Sequence, residues 1–354
     1  MLPVMITTET RKQPNLFRYE ELSGPAFASR IGPKDVIFIP ISAPENHGEH
    51  LPLGTDLYIS EEVSLRAAIR YAKKHPEDNI FLYPCITIGG ATIRGRGSVK
   101  IRSSQLRKAL LFLGKRLIKQ GFLRILFISG HGGVPHVHAM DHAAAALTRI
   151  IHRKDPDGAC FAPAALFAGK AFAGDYIDIW KQRGISLPSN VEELLSKDLH
   201  GGWMETSMML AIRPDLCGDR YLQMPTIEPK QRWWLNRITG VLKWFVRRLP
   251  LIPRKKEDLQ FGLELGKNDL SWIMQGREEG YLGDPKQSTP EFGNAVLDAV
   301  CDDIADAMRA VFLRGLPPKA LRSGGYAFWQ LVMILRAAAV IGAVAFLVFI
   351  GYTY

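Results

Sequence analysis

Short, continuous apolar runs alternate with longer segments of helical period along this chain. The runs are "VIFIPI" (36–41), "IFLYPCITI" (80–88), "RILFIS" (124–129) and "CFAPAALFA" (160–168). They are of strand length and lack a polar face, so each predicts a strand buried on both sides. Between them, 58–75 places Val63, Ala67, Ile69 and Ala72 near one face, with charges opposite. The pattern returns over 103–121, where Gly121 is a natural helix cap, and a third helix is expected in "PHVHAMDHAAAALTRIIHR". Strands alternating with helices predict an α/β fold, its parallel sheet covered on both faces. In such sheets ligands bind beyond the carboxyl ends of the strands.

Two regions depart from this alternation. From Tyr326 to Tyr354 the chain is almost wholly apolar, with one charge, Arg336, and aromatic residues at both ends. A bilayer core needs about 20 apolar helical residues, so a C-terminal transmembrane helix over 326–354 is expected, a buried core helix being the rival. Arg314, Lys319 and Arg322 precede it, which predicts a single-pass membrane anchor with the catalytic domain cytoplasmic. The other region, about 228–258, holds Trp233, Trp234 and Trp244 and much of the positive charge. Trp234, Ile238, Val241, Leu242 and Phe245 form a stripe flanked by Lys243, Arg247 and Arg248. This pattern predicts a basic amphipathic helix on a membrane surface. A partner helix or ordinary packing is the rival, and nucleic acid is not the expected partner. The domain reading is therefore 1–325, with an insertion at about 228–258, followed by the anchor.

Composition adds little. The 354 residues are 47% hydrophobic and 23% charged, ordinary for a globular protein, and long enough for a sizeable core. The net charge of +10 suggests nucleic acid or an anionic membrane, and its concentration near 228–258 favours the membrane. Cys85, Cys160, Cys217 and Cys301 are far apart and form no CxxC pair, as expected of reduced thiols. "MLPVMITTETRKQPN" contains no apolar core of a signal peptide.

Candidate chemistry follows the strands. Directly after 36–41 comes "APENHGEHLPLGTD" (43–56), with Glu45, His47, Glu49, His50 and Asp56. Glu45, His47 and Asp56 suit a divalent metal, one ion or two bridged. Directly after 124–129 comes "GHGG", whose glycines let backbone approach a ligand closely and bring His131 to the same sheet edge. A third segment, "DLHGGWMETSMML" (198–210), offers Asp198, His200 and Glu205, the last in the first turn of a helical run. Each residue alone is more often a solvated, hydrogen-bonded or capping group; convergence of the three segments is what would make a site.

These motifs resemble the creatininase (creatinine amidohydrolase) family. "IPISAPENHGEHLPLGTD" is similar to its P-x-G-S-x-E-Q-H-G-x-H-L-P-L-G-T-D signature, "SGHGG" to N-G-H-G-G-N, and "HGGWMETSMML" to H-A-G-x-x-E-T-S. "RYEELSGPAF" and "YLGDPKQSTPEFG" look like its opening and closing blocks, so the resemblance covers about 18–222 and 279–313. It implies a three-layer α/β/α sandwich and a two-metal hydrolase, often a homo-oligomer. Glu45 and His131 would bind one metal, His47 the other, and Asp56 would bridge them. His200 would match the proton-transferring histidine. Creatininase proper has a glutamate ligand where this chain has Gly133, so Glu205 is the candidate to complete the second site, as ligand or catalytic residue. Ser129 and Val134 flank "GHGG" in place of asparagines, and Arg94 and Arg96 stand near where the family has a histidine.

The expected protein is thus a membrane-held amidohydrolase using two divalent ions (Zn, Mn or Fe). It would cleave a C–N bond in a cyclic amide, formamide or small peptide-like molecule. The competing expectation is a membrane-tethered scaffold of the same fold without activity.

Overall fold

The computed structural model describes residues 13–321, apart from 94, 164–169, 172–173, 249–252 and 277–278. Among the described residues the strands are β1 (Leu16–Arg18), β2 (Val36–Pro40), β3 (Ile80–Leu82), β4 (Arg124–Ile128) and β5 (Ala159–Phe161). They form one parallel sheet in the order β1-β3-β2-β4-β5. The longer helices are α1 (Thr55–Lys74), α2 (Ser103–Gln120), α3 (Val134–Ile151), α4 (Trp203–Ile212), α5 (Trp233–Arg248), α6 (Pro253–Gln275) and α7 (Pro290–Phe312).

Side chains alternate across a strand, and here both faces are apolar. Val36, Phe38, Leu126 and Ile128 join the core beneath α1, α4 and α7. Ile37, Ile39, Ile125 and Phe127 join the core beneath α2 and α3. The result is the expected three layers, helix, sheet, helix, with β2 and β4 at the centre. Gly121 caps α2 in the left-handed region, φ 114°, as its position predicts.

Two expectations need correction. The run at 80–88 stays in the sheet only as far as Leu82. Pro84 has no N–H to give the ladder, and beyond it Ile86 makes one isolated bridge to Ile41. The helix over about 228–258 is present as α5, and its apolar stripe lies at the surface, with Ile238, Val241, Leu242 and Phe245 exposed. It packs on α6 beside the stripe, with Leu235 and Thr239 buried and Lys243 paired with Glu264. Finally, among the described residues no helix is long and apolar enough to cross a membrane, and 326–354 lie outside them. The transmembrane helix is therefore withdrawn from the fold, and the membrane localisation that depended on it is withdrawn too.

Candidate metal centre

β3 and β4 lie on either side of β2: α1 joins β2 to β3 on one face, and α2 carries the chain from β3 back across to β4 on the other. The strand order thus diverges between β2 and β4, which leaves a crevice beyond their carboxyl ends. Ile41 donates its N–H to the Ile128 carbonyl (2.8 Å), zipping the two strands up to the last residue before the loops. The loop after β2 carries Glu45 and His47 and closes when Glu45 donates its N–H to Leu53 (2.9 Å). Asp56 follows in the first turn of α1 and His131 in the loop after β4. Glu205 lies in the first turn of α4, and Asp198 accepts the N–H groups of Trp203 (2.6 Å) and Met204 (2.7 Å) to cap that helix.

All three segments meet. His131 Nδ1 lies 2.9 Å from Glu45 Oε2 and 3.1 Å from Asp56 Oδ2. His47 Nε2 lies 3.2 Å from Asp56 Oδ1 and 3.6 Å from Glu205 Oε2. Asp56 therefore turns one oxygen to each imidazole. Donor atoms of Glu45, Asp56 and His131 can share one ion, as can those of His47, Asp56 and Glu205, and those of Glu45, His47 and His200. The His200 ring stacks on His47 with centroids 4.1 Å apart.

Each imidazole is fixed from behind. His131 Nε2 donates to the Gly90 carbonyl (2.9 Å) and His47 Nδ1 to the Glu45 carbonyl (3.0 Å), which leaves the other nitrogen of each facing the carboxylates. His200 Nε2 donates to the Asn46 carbonyl (2.9 Å), leaving Nδ1 as its acceptor. Glu45 Oε1 accepts the Ile93 N–H, and Glu205 Oε2 accepts the Gly201 N–H (2.6 Å).

The charges in this centre are strongly coupled. Burial works against a charged His47, but Asp56, Glu205 and Glu45 overcome it and push its pKa up to about 10. Burial also opposes charge on His131, yet Glu45 and Asp56 hold it well above its usual value. Asp56 and Glu45 are lowered in turn, the histidine charges outweighing burial. Glu205 is raised to about 7, chiefly by burial, and His200 is lowered to about 4 by burial and then by His47.

The donor set fits a divalent cation. Glu45 Oε2, His47 Nε2 and both Asp56 oxygens are buried without a hydrogen-bond partner. Such an atom costs about 1–3 kcal/mol when left so, and four of them converge here. The carboxylate field that raises the pKa of both imidazoles is the field a cation would meet there.

The sequence reading placed Glu45, His47, Asp56, His131, His200 and Glu205 in one site, and the structure brings all six together. Glu49 is exposed and points to Arg220 (3.5 Å); Asp198 is a helix cap. Arg94 lies outside the described residues, and Arg96 is exposed. Missing from that reading are the supporting groups: Asn46, Gly90, Ser129 and His136. His136 is buried, with Ser129 Oγ 3.1 Å from its Nε2 and the Gly90 N–H donating to its Nδ1 (3.2 Å). Its one signal was its place five residues after His131, on the first turn of α3.

A parallel α/β sheet whose switch-point loops hold convergent carboxylates and imidazoles forms a candidate metal centre. The chain belongs to the creatininase family, whose model, creatinine amidohydrolase, matches residues 20–308. It is 28% identical over 181 residues to the mycofactocin precursor peptide peptidase of Mycolicibacterium smegmatis, a match covering 51% of this chain and 59% of that protein. It is 25% identical over 210 residues to the creatinine amidohydrolase of Pseudomonas putida, covering 58% of this chain and 75% of that protein. The fold is that of solved creatininase, with a TM-score of 0.55 at 19% identity over 84% of this chain and 98% of the other. A manganese form of creatininase gives a TM-score of 0.53 at 19% identity over the same shares.

Proposed function

We propose that this protein is a metal-dependent amidohydrolase that cleaves a C–N bond in a cyclic amide, formamide or small peptide-like substrate. One observation carries the reading: four buried, unpartnered ligand atoms from Glu45, His47 and Asp56 converge beside His131 and Glu205. Glu45, Asp56 and His131 would hold one divalent ion, and His47, Asp56 and Glu205 a second, with Asp56 shared. When bound, the two ions supply Lewis acidity for the carbonyl and lower the pKa of water. His200 moves the proton: its neutral Nδ1 takes it from the attacking water and returns it to the leaving nitrogen as the C–N bond breaks. The Asn46 carbonyl keeps that nitrogen free by holding the opposite N–H.

The relatives named a peptidase and a creatinine amidohydrolase support the reaction type, not one substrate. The test is elemental analysis of the purified protein, followed by assay against a lactam, a formamide and short peptides before and after chelation. Metal-dependent turnover of one class is expected. A protein that binds no divalent metal returns the inactive-scaffold reading.

A further inference from the structure

The loop after β2 and the turn before α4 are joined by two histidine-to-carbonyl bonds that run in opposite directions. His200, from the turn, donates to the Asn46 carbonyl of the loop (2.9 Å). His50, from the loop, donates through Nε2 to the Gly201 carbonyl of the turn (2.8 Å), with Thr206 Oγ1 3.1 Å from the same nitrogen. We propose that His50 is a positioning residue that sets Glu205 and His200 against His47 by holding the Gly201 peptide.

Gly201 is the point through which this works. Its N–H donates to Glu205 Oε2 (2.6 Å), while its carbonyl accepts from His50 and, at 3.2 Å, from the Thr206 hydroxyl. The Gly201 N–H and carbonyl belong to the two peptide planes that meet at its Cα, so His50 is coupled to the Glu205 carboxylate through the backbone conformation of Gly201. The turn has little slack. Gly201 has φ 58°, and a Cβ there would lie 2.9 Å from the His47 carbonyl oxygen and 2.9 Å from Tyr281 Cβ. His50 is equally confined. Its ring packs edge-on to Tyr281 (centroids 5.1 Å) and against Gly48, where a Cβ would lie 3.0 Å from Nδ1. A rigid donor held against a rigid acceptor fixes geometry better than a mobile pair. The Glu45–Asp56–His131 group has its own support, the Gly90 carbonyl and the Ile93 N–H, on the far side of the crevice. His50 therefore acts on one half of the centre.

This inference rests on the metal-centre reading, and the experiment separates the two. Full-length protein is stripped with chelator and titrated with Zn²⁺ against a chromophoric competitor. Wild type is expected to take up two equivalents. His50→Ala should weaken one by about 10- to 100-fold, the usual effect of losing a ligand's supporting partner, and leave the other unchanged. His50→Gln, whose amide can still donate to Gly201, should recover much of the loss. If His50→Ala does not fold, His50→Leu keeps the volume, removes the donor and carries the same expectation. Equal weakening of both equivalents, or none, overturns the proposal, as does failure of both variants to fold. Wild type that takes up no Zn²⁺ overturns the metal reading itself and this proposal with it.

Discussion

At Gly133 a side chain has no room: a Cβ there would lie 2.6 Å from His131 Nε2 and 3.0 Å from the Ala91 Cβ. A ligand cannot come from that position without moving the imidazole that donates to Gly90. Glu205 approaches the same centre from the first turn of α4, and this is why its role is the sharpest question at this scale. Glu205→Gln keeps the shape and removes the charge, so one metal should weaken far more than the other. Unchanged metal content with a lower rate would instead make Glu205 a substrate or base residue. Asp56 faces both imidazoles, so Asp56→Ala should lose both metals, whereas Glu45→Ala or His131→Ala should deplete one preferentially; full metal in the Asp56 variant would defeat the shared role. His200→Ala should keep its metal and lose turnover, since proton transfer contributes typically about 10²–10⁴-fold. Wild-type kcat in that variant would remove His200 from the mechanism.

Among the elements, α5 separates stability from exposure most clearly. Leu235 is 4% exposed against α6, whereas Trp244 is 49% exposed. Leu235→Ala should destabilise by about 2–5 kcal/mol, and Trp244→Ala by no more than about 0.5 kcal/mol, as read from denaturant midpoints. Similar losses for the two would mean that Trp244 is covered. In the same helix the periodicity located both the helix and its exposed stripe, but it did not mark Leu235 and Thr239, on the neighbouring face, as the buried positions. Continuous apolar runs did identify β2 and β4, since a strand buried on both faces has no polar residue to interrupt it. β1 is three residues long and leaves no such run. The six site residues were legible because ligand-type side chains followed predicted strands or opened a helix. The groups behind them were not, because their work is done largely by backbone: the carbonyls of Gly90 and Asn46, and the N–H groups of Ile93 and Gly201, carry no residue-specific mark.

For the whole molecule, the coupled charges make stability depend on pH in a way that metal should abolish. His47 has its pKa raised from 6.5 to about 10 in the folded state. Its contribution is complete below about pH 6.5 and is lost as pH rises through about 10. Asp56 has the opposite sign: its pKa is lowered, so its contribution is present above 3.8 and is lost as pH falls through its folded value. Metal-free protein should therefore lose Tm between pH 7 and 10 relative to the loaded form, whose liganding imidazoles are already neutral. Parallel Tm curves over that range would contradict this charge arrangement. One further consequence concerns the order in which the chain is made. α7 closes the core over α1 and α4, with Gly293 set so close that a Cβ would lie 1.9 Å from the Ser207 carbonyl oxygen. Every other buried residue of that core lies before residue 218. At a translation rate of about 5–20 residues per second, the stretch up to α7 takes roughly 4–14 seconds to be made. Throughout that interval the apolar faces of α1 and α4 that α7 will cover stay exposed on the nascent protein, a surface open to aggregation until α7 is made.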